Sequence, residues 1–181
     1  MAGMSAQHVF VDESERGPYL LGAVAVDPAD LKPVRQVLRE LRLPRQRRLH
    51  MVKERGSRRR HILTTLSHTP IRVRVYQCRA PSTPARRRCL HSLVVDLVDT
   101  GAARLVLERH DTQQRADHQL IQHTVAGLGG HLTHVHLRGH EEPLLWAADA
   151  VTWAYSAGGD WRRRIDPCWT RRSCSTCPNQ A

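Results

Sequence analysis

Short apolar segments with the period of β-strands recur along this chain, and segments with helical period separate the later ones. Strand-like patterns occupy residues 7–11, 19–26, 71–78, 104–108 and 132–137. The segment 71–78 (IRVRVYQC) gives the strongest signal, because apolar and polar side chains alternate along it. A turn-like stretch joins the first two strands, which predicts a hairpin, whereas helices between the later strands favour parallel neighbours. This order predicts an α/β fold with a five-stranded mixed sheet.

Helical periodicity covers much of the remaining chain. A basic amphipathic helix begins after Asp30 and ends at Pro44, and a short second helix covers residues 57–67. Both lie between the second and third strands, so they form a basic helical insertion. The later helices are expected over residues 86–100, 112–127 and 143–156. Because these helices alternate with strands, we expect helices on both faces of the sheet.

The chain has 181 residues, which is enough for one well-buried core. We expect one domain over residues 1–165 and a disordered C-terminal tail over residues 166–181, where the periodicity ends. The longest apolar run is far shorter than the roughly 20 residues that cross a bilayer, and no signal peptide is recognisable, which favours the cytoplasm. The chain has five cysteines, and this odd number fits a reducing compartment better than a disulfide framework.

Positive charge is concentrated in one part of the sequence. The formal net charge is +11, and residues 31–64 hold twelve basic and two acidic side chains. Such a field attracts phosphate backbones, although an Arg-rich solvated surface is the plainer explanation. If the segment binds nucleic acid, the candidate contacts are Arg35, Arg39, Arg42, Arg47, Arg48, Lys53, Arg58, Arg59 and Arg60.

Three acidic residues stand where an α/β sheet would bring them together. Asp12 and Glu108 each follow a short apolar strand, so both would project from the carboxyl edge of the sheet if those strands are parallel neighbours. Asp149 lies in an Ala-rich helix and shares a face with Trp146 and Trp153, which predicts that it points inward. Ionised carboxylates this close repel each other unless one is protonated or a cation bridges them. A Mg²⁺ or Mn²⁺ site at these three acids is therefore expected.

Each of these residues also has an ordinary structural explanation. Asp12 could cap a turn, Glu108 could pair with a surface arginine, and Asp149 could bind one of the many arginines. His50 is a candidate proton shuttle because its unperturbed pKa lies near neutrality, and a place in the core beside Met51 is the alternative.

Four stretches of the sequence together resemble a known group of proteins. They are VFVDES, RLHMVKE followed by SRRRHIL, RLVLE, and HEEPLLWAADAVTWAYSAGGDWRRR. These stretches are similar to small actinobacterial proteins of unknown function, which carry an Asp-Glu-Ser or Asp-Glu-Ser-Gly motif in the first strand. Those proteins are placed in the ribonuclease H-like superfamily. The likeness covers residues 8–165.

The resemblance implies a five-stranded mixed sheet with helices on both faces. It also implies acidic ligands from the first strand, the fourth strand and the last helix, which here are Asp12, Glu108 and Asp149. A further acid is expected on the first core helix, where this chain has only Asp96 and Asp99. Three other acids could supply that ligand, namely Glu13, Glu54 or Asp111.

These features predict a metal-dependent nuclease that hydrolyses phosphodiester bonds in RNA or DNA. Its expected catalytic residues are Asp12, Glu108, Asp149 and His50, and its expected metal ligands are Asp12, Glu108, Asp149 and Glu13. The alternatives are a non-catalytic nucleic-acid-binding module and a protein-assembly component that uses the Trp-rich last helix as its contact. Cys174 and Cys177, with Cys168 upstream, form a weak zinc signal, for which an incidental loose tail is the plainer explanation.

Overall fold

A computed structural model describes residues 6–166 and the backbone of Trp169–Ser173. Its strands form one six-stranded sheet in the order β5-β4-β1-β2-β3-β6. The strands are β1 (His8–Ser14), β2 (Tyr19–Val26), β3 (Arg72–Cys78), β4 (Arg104–Glu108), β5 (Thr133–Leu137) and β6 (Trp169–Ser173).

The sheet is mixed, as the sequence predicted. Antiparallel pairing joins β1 to β2 and β2 to β3, so the first three strands form a meander that begins with the expected hairpin. Parallel pairing joins β1 to β4 and β4 to β5. A sixth strand, β6, pairs in parallel with β3 and adds to the five that were predicted. Strand β6 lies within residues 166–181, which were expected to form a disordered tail. That expectation is wrong for residues 169–173. Cys168, Cys174 and Cys177 lie outside the described residues.

Helices cover both faces of this sheet. They are α1 (Leu31–Glu40), α2 (Gly56–Ser67), α3 (Ser82–Asp99), α4 (Gln114–Gly127), α5 (Pro143–Ala157) and α6 (Gly159–Arg163). The expected insertion between β2 and β3 consists of α1, a single 3₁₀ turn at Met51–Lys53, and α2. Helix α3 begins earlier than predicted because Pro84 lies in its first turn, where a missing N–H removes no helical hydrogen bond. Helix α6 was not predicted, since Gly158 and Gly159 at its start indicated a loop.

Two apolar cores lie on opposite sides of the sheet. Phe10 of β1 packs with residues of α1, α2 and α5, whereas its neighbours Val9 and Val11 pack with residues of α3 and α4. This division follows from the two-residue period of a strand, which sends successive side chains to opposite faces. In the part of the chain that the structure describes, no helix is both long and apolar enough to cross a membrane.

Helix α5 approaches the sheet very closely at one point. A Cβ placed on Gly22 of β2 would lie 1.9 Å from Oγ1 of Thr152 in α5. The Thr152 hydroxyl is buried, and it donates a hydrogen bond of 3.4 Å to the backbone carbonyl of Asp12. Because Gly22 lies opposite Asp12 in the β1-β2 pair, the missing side chain is what lets α5 lie against this part of β1.

We therefore expect Gly22→Ala to destabilise the protein. The added methyl group must displace Thr152, and overpacking of this kind costs about 1–3 kcal/mol of unfolding free energy. Urea unfolding followed by circular dichroism measures the loss. Gly127→Ala is the matched control, because a Cβ there has no atom within 4 Å, and it should leave stability equal or slightly higher. Equal stability of the Gly22→Ala variant and the wild type would contradict the close approach.

Candidate functional site

Asp12, Glu108 and Asp149 line one pocket at the carboxyl edge of the β1-β4 pair. Val11 and Leu107 form the last registered pair between these parallel strands. Asp12 directly follows Val11, and Glu108 directly follows Leu107. Asp149 reaches the same pocket from α5, which crosses the sheet above β1. The pocket has a volume of about 340 Å³. The three acids that lie far apart in the sequence are thus neighbours in the structure.

Asp12 has the most unfavourable electrostatic environment of the three. Burial raises the pKa of its carboxyl well above the ordinary value, and the charges of Asp149 and Glu108 raise it further. A hydrogen bond from the backbone of Glu13 opposes this shift only in part. No basic side chain within residues 6–166 forms an ion pair with Asp12. The site therefore holds a carboxyl group that a cation would stabilise in its ionised form.

Asp149 is held by the basic insertion. Its carboxylate accepts a hydrogen bond of 2.7 Å from the backbone N–H of Met51, and Nδ1 of His50 lies 3.3 Å from it. Arg59 fixes the 3₁₀ turn that carries Met51 by donating to the carbonyls of Met51 and Val52 at 2.8 and 2.9 Å. The predicted site residue His50 thus lies beside Asp149 in the pocket.

Glu108 is paired with a basic residue of the same pocket. Its Oε1 accepts a hydrogen bond from Nη1 of Arg48, and the two side chains form a salt bridge. Gly139 provides the space for this pair, since a Cβ there would lie 1.9 Å from Arg48 Nη1 and 2.6 Å from Glu108 Oε1. Sequence reasoning had placed Arg48 among the nucleic-acid contacts, and no sequence pattern indicated its contact with Glu108.

Glu13, the fourth expected ligand, borders the same pocket but binds elsewhere. It follows Asp12 in β1, and its carboxylate accepts hydrogen bonds from the Tyr19 hydroxyl and from Nε of Arg86 at 3.0 Å. The same arginine donates to Asp117, whose other oxygen lies 3.1 Å from Nε2 of His136. This network on the α3-α4 side of the sheet was missed by sequence reasoning, because its members come from five separate elements.

The carboxylates do not converge on one point. Within the described residues, no three His, Cys, Asp or Glu side chains are close enough together to hold a metal ion. Two of the carboxylates bind other groups of the protein: Glu108 binds Arg48, and Asp149 binds the Met51 N–H. The donor set nevertheless fits a hard divalent cation, because it consists of carboxylate oxygens around the unpaired Asp12. Glu54 and Asp111, the other candidate ligands, bind Arg58 and Arg109 outside this pocket.

The basic side chains of residues 31–64 fall into two groups. The first group binds within the chain and consists of Arg35, Arg42, Arg48, Arg58 and Arg59. The second group is exposed and has no hydrogen bond or ion pair with the described part of the chain: Lys32, Arg39, Arg45, Arg47, Lys53, Arg55 and Arg60. Of the nine candidate nucleic-acid contacts, Arg39, Arg47, Lys53 and Arg60 therefore remain free to meet a phosphate.

The Trp-rich face of α5 is occupied within the molecule. Trp146 is buried, and its indole N–H donates to the carbonyl of Gly139. Trp153 contacts the ring of Trp161 at 5.2 Å between centroids, and the guanidinium of Arg59 lies 4.6 Å from the centre of its ring. The Trp residues that a protein-assembly role of this helix would use are therefore in contact with other parts of the same molecule.

Comparison with solved structures identifies the architecture. RNase HII from Archaeoglobus fulgidus, in the structure of its complex with PCNA, superposes with a TM-score of 0.58 over 88% of this chain and 75% of that one. The chain has a ribonuclease H-like fold. The two sequences are 15% identical, so the likeness shows the fold alone. No protein-family model matches the chain, and no curated protein matches it. The fold implied by the sequence resemblance is confirmed, including the mixed sheet and the helices on both faces.

We expect Asp12→Asn to stabilise the protein at neutral pH when a chelator removes divalent cations. Asp12 has a raised pKa in the folded state, so its contribution to stability is complete below the unfolded value of 3.8 and is lost as pH rises through the folded pKa. Replacing the carboxylate should add about 0.5–2 kcal/mol at pH 7. Urea unfolding measures the gain. The stability of the exposed control variant Asp111→Asn should differ little from that of the wild type. If Asp12→Asn is less stable than this control, the environment described for Asp12 is wrong.

Asp117→Asn should have the opposite effect. Burial alone would raise the pKa of Asp117, but hydrogen bonds from His136 and Arg86 outweigh it and hold the pKa below 3.8. The variant leaves the buried Arg86 without one of its two carboxylates, which costs about 3 kcal/mol. The difference from wild type is complete above pH 3.8 and shrinks as pH falls through the folded pKa of Asp117.

Thermal unfolding of the wild type and the Asp117→Asn variant over a pH series measures this difference. Asp27→Asn removes one partner of the more exposed Arg72 salt bridge and should cost less than about 1 kcal/mol. Equal losses in the two variants would show that the Arg86-Asp117 contact is no stronger than a surface pair.

Proposed function

We propose that this protein is a metal-dependent nuclease that hydrolyses phosphodiester bonds in RNA or DNA at Asp12, Glu108 and Asp149. The observation that carries the proposal is the pocket that brings these acids together around Asp12, whose pKa is raised and which has no basic partner among residues 6–166. A desolvated carboxyl beside two others is expensive, and such arrangements are concentrated at functional sites. RNase HII, the structural neighbour, is by its name a ribonuclease, which agrees with this activity.

Mg²⁺ or Mn²⁺ is the proposed cofactor, held by oxygens of Asp12, Glu108 and Asp149. When bound, such an ion supplies charge stabilisation for the phosphate and activates water for attack. The Met51 N–H orients Asp149, and Thr152 fixes the backbone at Asp12. His50 presents Nδ1 to Asp149, so we assign proton transfer to its other ring nitrogen, Nε2.

Nucleic acid is the proposed partner of the basic insertion. The exposed cations Arg39, Arg47, Lys53 and Arg60 provide its phosphate contacts, since the other candidates serve the structure. Arg47 directly precedes Arg48, which lines the acidic pocket, so one of these free cations is next in sequence to a residue of the site. Binding should weaken as salt concentration rises, because neutralised phosphates release counterions.

Asp149→Asn tests the proposed activity. The variant keeps an oxygen that can accept the hydrogen bond from Met51 N–H, so the insertion stays in place while the site loses one negative charge. We expect Mg²⁺-dependent cleavage of labelled RNA or DNA to fall by at least about 100-fold, the scale on which a single electrostatic contact matters in catalysis. Binding of the same oligonucleotide, measured by fluorescence anisotropy, should change little.

Asp160→Asn is the control, because Asp160 is exposed and, among the described residues, pairs only with Arg163 of its own helix and with Arg164, the residue after it. This variant should cleave as the wild type does. Full activity of Asp149→Asn, or equal loss in the two variants, would refute the proposed active site.

A non-catalytic nucleic-acid-binding module is the second candidate function. It is favoured by the salt bridge between Arg48 and Glu108, which neutralises one of the three acids without any metal. Calorimetry separates the two functions, because a pure binding module takes up no Mn²⁺ in a saturable manner that depends on Asp149.

A further inference from the structure

A basic side chain of the protein, Arg48, contacts one of the acids of the pocket. Arg48 binds Glu108, and both residues line the pocket together with Asp12 and Asp149. The Arg48 side chain is 36% exposed and that of Glu108 is 22% exposed, so solvent reaches the pair. The contact is tightly fitted, because Gly139 leaves no room for even a Cβ beside it. The guanidinium group of Arg48 is therefore part of the lining of the acidic pocket.

A carboxylate oxygen that accepts a hydrogen bond from a guanidinium is less available to coordinate a divalent ion. Oε1 of Glu108 accepts from Arg48, and it is also one of the oxygens that would coordinate a divalent ion. While the salt bridge persists, no three acidic or imidazole side chains of the described residues are positioned as a ligand set. Release of Arg48 would free Glu108 and remove the positive charge that neutralises it, which increases the demand of the three carboxylates for a cation.

Phosphate is the group best able to release Arg48. A guanidinium binds phosphate as readily as carboxylate, because its planar fork matches both geometries. Arg48 lines the pocket and follows Arg47 in the chain, and Arg47 is exposed and unpaired within the described residues. A nucleic-acid strand that reaches Arg47 therefore brings a phosphate within the vicinity of Arg48.

We propose that Arg48 is a positioning residue that holds Glu108 in the free protein and moves to a substrate phosphate, so that nucleic acid and the divalent cation bind cooperatively. This inference rests on the proposed function, since it assumes that Glu108 is a ligand of the cation. It explains why a nuclease site can contain an internal ion pair: the pair keeps Glu108 neutralised until a substrate arrives. By thermodynamic linkage, each ligand must raise the affinity of the other by the same factor.

The test measures Mn²⁺ binding by calorimetry and by electron paramagnetic resonance, with and without a short 2′-O-methyl oligonucleotide that resists hydrolysis. For the wild type, we expect the oligonucleotide to raise Mn²⁺ affinity by about tenfold, within the usual range of coupling between sites. In Arg48→Gln, Mn²⁺ affinity without oligonucleotide should already be about tenfold higher than in the wild type, and the oligonucleotide should raise it little further.

Arg47→Gln is the matched control. It removes the same charge from the neighbouring position, but Arg47 has no contact with Glu108, so Mn²⁺ affinity without oligonucleotide should stay close to that of the wild type. Thermal unfolding of both variants confirms that they fold. If the two variants bind Mn²⁺ alike, or if wild-type affinity for Mn²⁺ is unaffected by the oligonucleotide, the role assigned to Arg48 is wrong.

The same data distinguish this failure from failure of the proposed function. When the wild type takes up Mn²⁺ in a saturable manner and Asp149→Asn does not, the metal site stands and only the coupling through Arg48 is in question. When the wild type takes up no Mn²⁺, with or without the oligonucleotide, the nuclease proposal falls and the inference falls with it.

Discussion

The close approach of α5 to the sheet is the constraint on which the site depends. Asp149 can lie beside Asp12 only because Gly22 carries no side chain where Thr152 of α5 meets β2. The Ala-rich sequence of the helix serves the same purpose, since Ala147, Ala148 and Ala150 are buried with small side chains. A larger separation between α5 and the sheet would move Asp149 away from Asp12. The position of one glycine therefore decides whether two acids far apart in the sequence can share a pocket.

The basic insertion is as much a structural element as a candidate binding surface. Arg35 forms two hydrogen bonds, of 2.9 and 2.8 Å, with Glu142, which also caps the first turn of α5. Arg59 holds the turn from which the Met51 N–H binds Asp149. Several arginines thus determine where α5 begins and how its acid is oriented. Net charge alone could not separate these arginines from the exposed ones, because the separation depends on which carbonyl or carboxylate lies within reach.

The sequence predicted the elements better than it predicted their contacts. The strand Arg104–Glu108 and the placement of Asp12 followed from local periodicity, which reports the faces of strands and helices directly. The sequence analysis missed the start of α3, the helix α6 and the strand β6. In these segments a proline, a pair of glycines and a run of polar residues, respectively, mask the preference for regular structure. Contacts such as Arg48 with Glu108 join residues 60 positions apart, and no local pattern encodes them.

The two consecutive acids of β1 show how the fold assigns different roles to similar groups. Strand alternation turns Asp12 toward α5 and Glu13 toward α3, where Tyr19 and Arg86 satisfy the Glu13 carboxylate. Asp12 meets two other acids and no basic partner within residues 6–166, and its pKa rises accordingly. Arg86 binds both Glu13 and the buried Asp117, so it cannot turn to Asp12 without giving up these two contacts. The network on the α3-α4 face thus keeps the positive charge of Arg86 away from Asp12.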